Sequence, residues 1–218
     1  MSNATEATTS RTYHLHRERQ RRRILNAAKN LFIERGIDRV TMAEIITTSG
    51  LRASTLYQYF SNKEDLVWAI LESVMADTAA RALSAVEGTS SALARITALL
   101  ELMADDLTEH QDEVRFLSQF DAMYARDGPA ERLLTLEAQI SPDGFKHFEE
   151  LIREGISDGS LRADLDPELT MHAVMNAVVG AQRRLATLGS RVELEYGQSI
   201  DRLFRETIRV LLRGLQAN

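Results

Sequence analysis

From Thr41 to Lys63 the chain reads TMAEIITTSGLRASTLYQYFSNK. Its side chains suit hydrogen bonding better than bond breaking. Hydroxyls at Thr41, Tyr57 and Tyr59, with the ammonium of Lys63, are the donors that phosphate oxygens accept. Gln58 can pair bidentately with adenine, and Arg52 with guanine O6 and N7. Ala53, Ser54 and Thr55 lie between these two in the sequence. Ala43 offers only a methyl group from the preceding segment.

Local pattern supplies the elements that would position them. Thr41 and Glu44 make a capping box, opening a short helix that buries Ile45 and either Met42 or Ile46. Gly50 ends that helix, because a left-handed turn residue costs least without a Cβ. Leu51 plugs the corner, and a second helix of about seven to nine residues starts near Arg52 or Ala53. Leu56 and Phe60, four apart, share its inner face, leaving Ser54, Thr55, Gln58 and Tyr59 to point elsewhere. Ser61 and Glu64 form another capping box, opening the next helix. The pattern alone fits either an ordinary helical hairpin or a helix-turn-helix whose second helix enters the major groove.

The flanking residues favour the second. Gly36, Thr41, Ile45, Gly50, Leu51, Thr55, Leu56, Tyr57, Tyr59, Phe60, Lys63 and Leu66 stand in an order that resembles the tetracycline-repressor (TetR) family of bacterial transcription regulators. The detailed resemblance covers about residues 20–67. Two positions depart from the usual pattern: Arg52 where a helix-capping serine is common, and Ser54 where a small residue, often glycine, is common. Arginine cannot accept a hydrogen bond, so it cannot cap the helix it precedes. The resemblance implies phosphate contacts from Thr41, Tyr57, Tyr59 and Lys63. It places base readout on Arg52, Ala53, Ser54, Thr55 and Gln58, with Ala43 approaching a base from the first helix of the pair. Tyr57 has a second reading, as packing against the first helix of the chain.

The chain has 218 residues, 44% hydrophobic, three prolines and no cysteine. Alternating Val/Ile/Thr runs are nearly absent, so the expected fold is all-α, with about nine to ten helices. Without cysteine there are no disulfides or thiolate metal sites, which suits a reducing cytoplasm. The longest uncharged apolar run, Leu169–Gln182, falls short of the roughly 18–20 residues that cross a bilayer. The N-terminus has no apolar signal core, so no membrane role is expected. Net charge is −6, yet residues 1–66 carry 11 Lys/Arg against 7 Asp/Glu, and residues 67–218 carry 15 against 25. One basic end on an acidic body is expected where only that end meets phosphate. Much of the excess lies in Arg17, Arg19, Arg21, Arg22 and Arg23, at the expected start of the first helix. Cations there oppose the helix dipole, a cost that an external anion would offset.

Residues 1–12 read as a disordered tail, 13–62 as the DNA-binding domain, and 63–218 as a helical bundle. Helices are expected over about Arg17–Arg35, Asn62–Val86, Ser91–Thr108, Asp112–Ala125, a stretch after Pro129, Phe145–Ile156, Pro167–Leu188 and Val192–Leu215. Ser141-Pro142 and Asp166-Pro167 read as caps followed by first-turn prolines. The last two helices carry broad apolar faces: Val174, Ala177, Val178, Ala181 and Leu185 on one, and Ile200, Leu203, Phe204, Ile208 and Leu211 on the other. Such a pair makes half of a four-helix bundle with a second copy, and similar proteins dimerise this way. A homodimer would read a pseudo-palindromic double-stranded operator. The resemblance also implies a small-molecule effector in the bundle. Its candidate lining is Trp68, Met75, Met103, Phe116, Phe120, Met123, Tyr124, Phe148 and Met175, all of which also suit ordinary core. No cofactor or metal is implied. The histidines at 14, 16, 110, 147 and 172 supply no repeated Glu-x-x-His, and no G-x-S-x-G elbow exists, so enzymatic chemistry is not expected. The alternatives are a constitutive or architectural DNA-binding protein with no effector, and a helical protein-binding adaptor.

Overall fold

Caps and glycine stops set most helix boundaries in the computed structural model, which describes residues 2–89, 91–140 and 144–217. Eleven α-helices are present among the described residues: α1 (Ser2–Arg35), α2 (Met42–Ser49), α3 (Ala53–Tyr57), α4 (Lys63–Val86), α5 (Ala92–Glu109), α6 (Gln111–Asp127), α7 (Ala130–Ile140), α8 (Gly144–Ser157), α9 (Pro167–Leu188), α10 (Arg191–Tyr196) and α11 (Ile200–Leu215). An isolated bridge pairs Leu161 with Gln216, and no helix is long and apolar enough to cross a membrane among the described residues.

Four boundaries differ from expectation. The α1 helix begins at Ser2, not near Arg17, so helical backbone occupies the stretch expected to form a tail. No glycine or proline lies between Met1 and Arg35 to stop it. The cap of α4 is Asn62, whose Oδ1 accepts from the Asp65 amide at 2.9 Å, one residue beyond the expected Ser61. The single helix expected over Val192–Leu215 is two. Gly197 closes α10 at φ 64°, and Ser199 opens α11 by accepting from the Arg202 amide at 3.3 Å. α3 is shorter than expected and is described below. Asp166 does cap α9, accepting from the Leu169 amide at 2.9 Å, with Pro167 in the first turn. Ser141-Pro142 lies outside the described residues.

Two compact units divide at Leu71/Glu72, inside α4. In the first, Ile24, Ala28 and Phe32 of α1, Ile45 of α2, Leu56 of α3 and Leu66 of α4 are all fully buried. The start of α4 contributes heavily to this core, through Leu66, Val67, Trp68 and Ile70. In the second unit, α5, α8, α9 and α11 share a core that includes Ile96, Leu100, Leu151, Ile152, Val178, Phe204 and Ile208. A polar cluster sits beside it. Arg81 Nε lies 2.9 Å from Asp106, itself only 6% exposed, and Arg81 also reaches Glu113 at 3.2 Å.

Candidate nucleic-acid interface

The helix pair α2–α3 is held by its ends. Thr41 Oγ1 accepts from the Glu44 amide at 3.4 Å, while the Thr41 amide donates to Glu44 Oε2 at 2.8 Å. Both halves of the capping box are therefore formed. Glu44 also meets Arg35, the last residue of α1, at 2.7 Å. The Thr41 amide, the Thr41 hydroxyl and the Arg35 guanidinium together hold the Glu44 carboxyl down at about 2. Gly50 takes the left-handed conformation, φ 63°, that closes α2.

Arg52 stands at the N-cap of α3 and makes no side-chain cap bond, as its chemistry requires. The α-helical turns cover Ala53–Tyr57 only, after which the chain tightens: the Gln58 amide donates to Thr55 and the Tyr59 amide to Leu56. These bonds span three residues, the usual tightening of a final helical turn. Leu56 and Phe60 are buried, anchoring one side. Arg52, Ala53, Ser54, Tyr57 and Gln58 are exposed on the other, and Thr55 is half-buried. Tyr57 is 51% exposed, which leaves little of its reading as packing against the first helix. Ala43 on α2 is exposed as well.

The other expected phosphate donors are engaged inside the unit. The Thr41 hydroxyl donates to Glu44 Oε2 at 2.8 Å. The Tyr59 hydroxyl donates to Gln20 Oε1 of α1 at 2.9 Å. Lys63 Nζ donates to the carbonyls of Ile37 (2.8 Å), Val40 (3.0 Å) and Asp38 (3.3 Å). An ammonium has three protons, so Lys63 fastens the loop between α1 and α2. These contacts to Arg35, Gln20 and the loop carbonyls left no sequence signal, because each joins residues far apart in the chain.

The residues expected at a dimer interface divide in two. Val174, Val178, Leu185, Phe204 and Ile208 are buried in the core of their own unit, so they are unavailable to a second copy. Ala177 is exposed, and Ala181, Ile200, Leu203 and Leu211 are half-buried. Leu169 and Val210 add exposed apolar surface to α9 and α11. Of the expected effector residues, Trp68 belongs to the first unit and donates to Glu64 Oε1 at 3.3 Å. Phe116, Phe120 and Phe148 are buried in the second. The rings of Phe120 and Tyr124 stack with centroids 5.7 Å apart, Met103 and Met175 pack against the core, and Met75 and Met123 are half-buried. A separate cleft is lined by none of these, but by Glu101, Asp201, Arg202, Arg205, Glu206 and Arg209 among others. Arg205 grips Asp105 at 2.6 Å, Asp201 at 2.7 Å and Glu101.

Residues 24–70, which span α2, α3 and their supports, match the family model of bacterial regulatory proteins of the tetR family. The chain is 27% identical over 161 residues to the HTH-type transcriptional repressor KstR2 of Mycolicibacterium smegmatis, covering 69% of this chain and 71% of that one. The KstR2 of Rhodococcus jostii is 24% identical over 203 residues, covering 90% and 91%. Residues 24–70 thus carry the DNA-binding domain of the tetR family. The structure of the ketosteroid transcriptional regulator KstR2 of Mycobacterium tuberculosis superposes with a TM-score of 0.70, at 21% identity, over 91% of this chain and 95% of that one. That likeness shows the TetR fold across both units. The exposed side of α3 therefore lies within the matched helix-turn-helix segment of a DNA-binding transcriptional regulator.

Proposed function

We propose that this chain represses transcription as a cytoplasmic homodimer bound to a pseudo-palindromic operator, and that a small apolar or aromatic molecule releases it. The observation that carries DNA reading is the two-sided character of α3: Leu56 and Phe60 are buried while Arg52, Ser54 and Gln58 stand exposed. Gln58 and Arg52 have the donor and acceptor geometry for adenine and guanine edges. Ser54, Thr55, Ala53 and Ala43 line the same approach, and Tyr57 offers its hydroxyl to a phosphate. Thr41, Tyr59 and Lys63 act mainly by holding the hairpin in shape. One short helix touches few base pairs, so a dyad placing two of them about 34–36 Å apart is needed for tight binding. The exposed sides of α9 and α11, with Ala177, Leu203, Val210 and Leu211, supply the surface for that dyad.

Repression is supported by the relatives named as repressors. An apolar effector is supported by the aromatic content of the second unit, and by a structural neighbour described as a ketosteroid regulator. Release requires the effector to bind two conformations with different affinity, typically by 1–3 kcal/mol. Selection of bound duplexes from a random pool should return an inverted repeat, and a steroid or fatty-acid panel should include a compound that dissociates the complex. A single unrepeated half-site would exclude the dimeric operator. Continued binding against every compound would favour a constitutive repressor.

A further inference from the structure

We propose that α1 supplies a second, sequence-independent DNA contact: a phosphate-binding edge of Arg17, Arg21 and Arg23 beside the reading helix. The inference rests on the reading of α3 given above. The first observation is geometric. The Arg17 guanidinium lies 5.6 Å from the centroid of the Tyr59 ring, and that of Arg21 lies 5.8 Å from the centroid of Phe60. Arg23 abuts the turn between α2 and α3, so closely that a Cβ on Gly50 would sit 2.8 Å from its guanidinium. The bond from Tyr59 to Gln20 ties the same stretch of α1 to the end of α3. Stacking on a ring fixes a guanidinium in place without neutralising it.

The second observation is charge. In the C-terminal unit Arg81, Arg95, Arg153, Arg205 and Arg209 each meet a carboxylate. Among the described residues, Arg17, Arg21 and Arg23 pair with none. Arg17 and Arg21 are four apart, where like charges on a helix repel. The third observation is that Thr41, Tyr59 and Lys63 have their donors committed within the unit. Besides Arg52 at the N-cap of α3, the arginines of α1 that lie against the rings of Tyr59 and Phe60 and the turn at Gly50 are cations open to a polyanion there. Guanidinium groups suit phosphate oxygens, which they can grip with two parallel hydrogen bonds.

The test is fluorescence anisotropy of the full chain on a fluorescein-labelled random-sequence duplex, with NaCl varied from about 50 to 200 mM. Arg17→Gln/Arg21→Gln/Arg23→Gln should lower the magnitude of the log affinity against log salt slope by about 0.9 per neutralised side chain in each subunit. The corresponding triple lysine variant should keep the slope of the parent. If the glutamine triple fails to fold by circular dichroism, Arg17→Gln alone should still move the slope by about 0.9. A folded glutamine variant with the parent's slope would overturn the inference and leave the reading of α3 intact. Failure of the parent itself to bind any duplex at the lowest salt would overturn that reading, and this inference with it.

Discussion

Lys63 shows how a residue's neighbours can redirect its chemistry. An ammonium near a reading helix suggests phosphate, but its three protons go to the carbonyls of Ile37, Asp38 and Val40. Hydrogen bonds to charged groups contribute about 1.5–3 kcal/mol each where water is excluded, and less at a half-exposed site. Lys63→Ala should therefore destabilise the chain by about 1–3 kcal/mol in urea unfolding. An unchanged midpoint with a reduced salt slope would return Lys63 to phosphate binding. Glu44 gives a pH dependence with a definite sign. Its carboxyl is held at about 2 against an ordinary value of 4.5. A depressed carboxyl stabilises the fold fully above its unfolded value, and that contribution is lost as pH falls from 4.5 through about 2. Over that window Glu44→Gln should lose less stability than the parent in urea titrations. Equal losses would mean that the carboxylate's bonds do not favour the folded state.

At the scale of elements, local signals reached most of the fold. Gly50 after α2 and Asp166-Pro167 before α9 each state a boundary within a few residues, so capping chemistry suffices to read them. The break between α10 and α11 was also stated, by Gly197 and Ser199, but the apolar periodicity running from Val192 to Leu215 hid it. The early start of α1 was hidden for the opposite reason: its polar N-terminal half has no apolar stripe to announce a helix. What sequence could not show is partnership at a distance. Nothing near Asp106 in the chain foretells that Arg81 lies 2.9 Å away, or that burial pushes the Asp106 carboxyl up while Arg81 draws it back. Arg81→Ala would leave a buried carboxylate with no cation against it, at a cost of about 3–5 kcal/mol. Adding Asp106→Asn should recover part of that loss in thermal or urea unfolding. No recovery would mean that Arg81 acts through its aliphatic packing.

For the molecule as a whole, charge and helical faces were legible while the assignment of inner and outer faces was not. The basic end and acidic remainder follow from a count of residues. Apolar stripes on α9 and α11 are equally plain in the sequence, but periodicity cannot say which members close the subunit's own core. Phe204 and Ile208 do so, and substitution there would report on folding rather than assembly. Ala177→Glu with Val210→Glu places charge on the exposed sides instead. Light scattering should then find monomers with intact helicity and loss of tight operator binding. Persistent dimers would put the interface on another surface. The most direct measurement of the central claim, that the open side of α3 reads bases, is parallel selection from a random duplex pool with the parent and Gln58→Ala. The parent should enrich an inverted repeat, and the variant should lose preference at one position per half-site, worth about 1–3 kcal/mol. An identical motif from both proteins, at the same strength at every position, would contradict it.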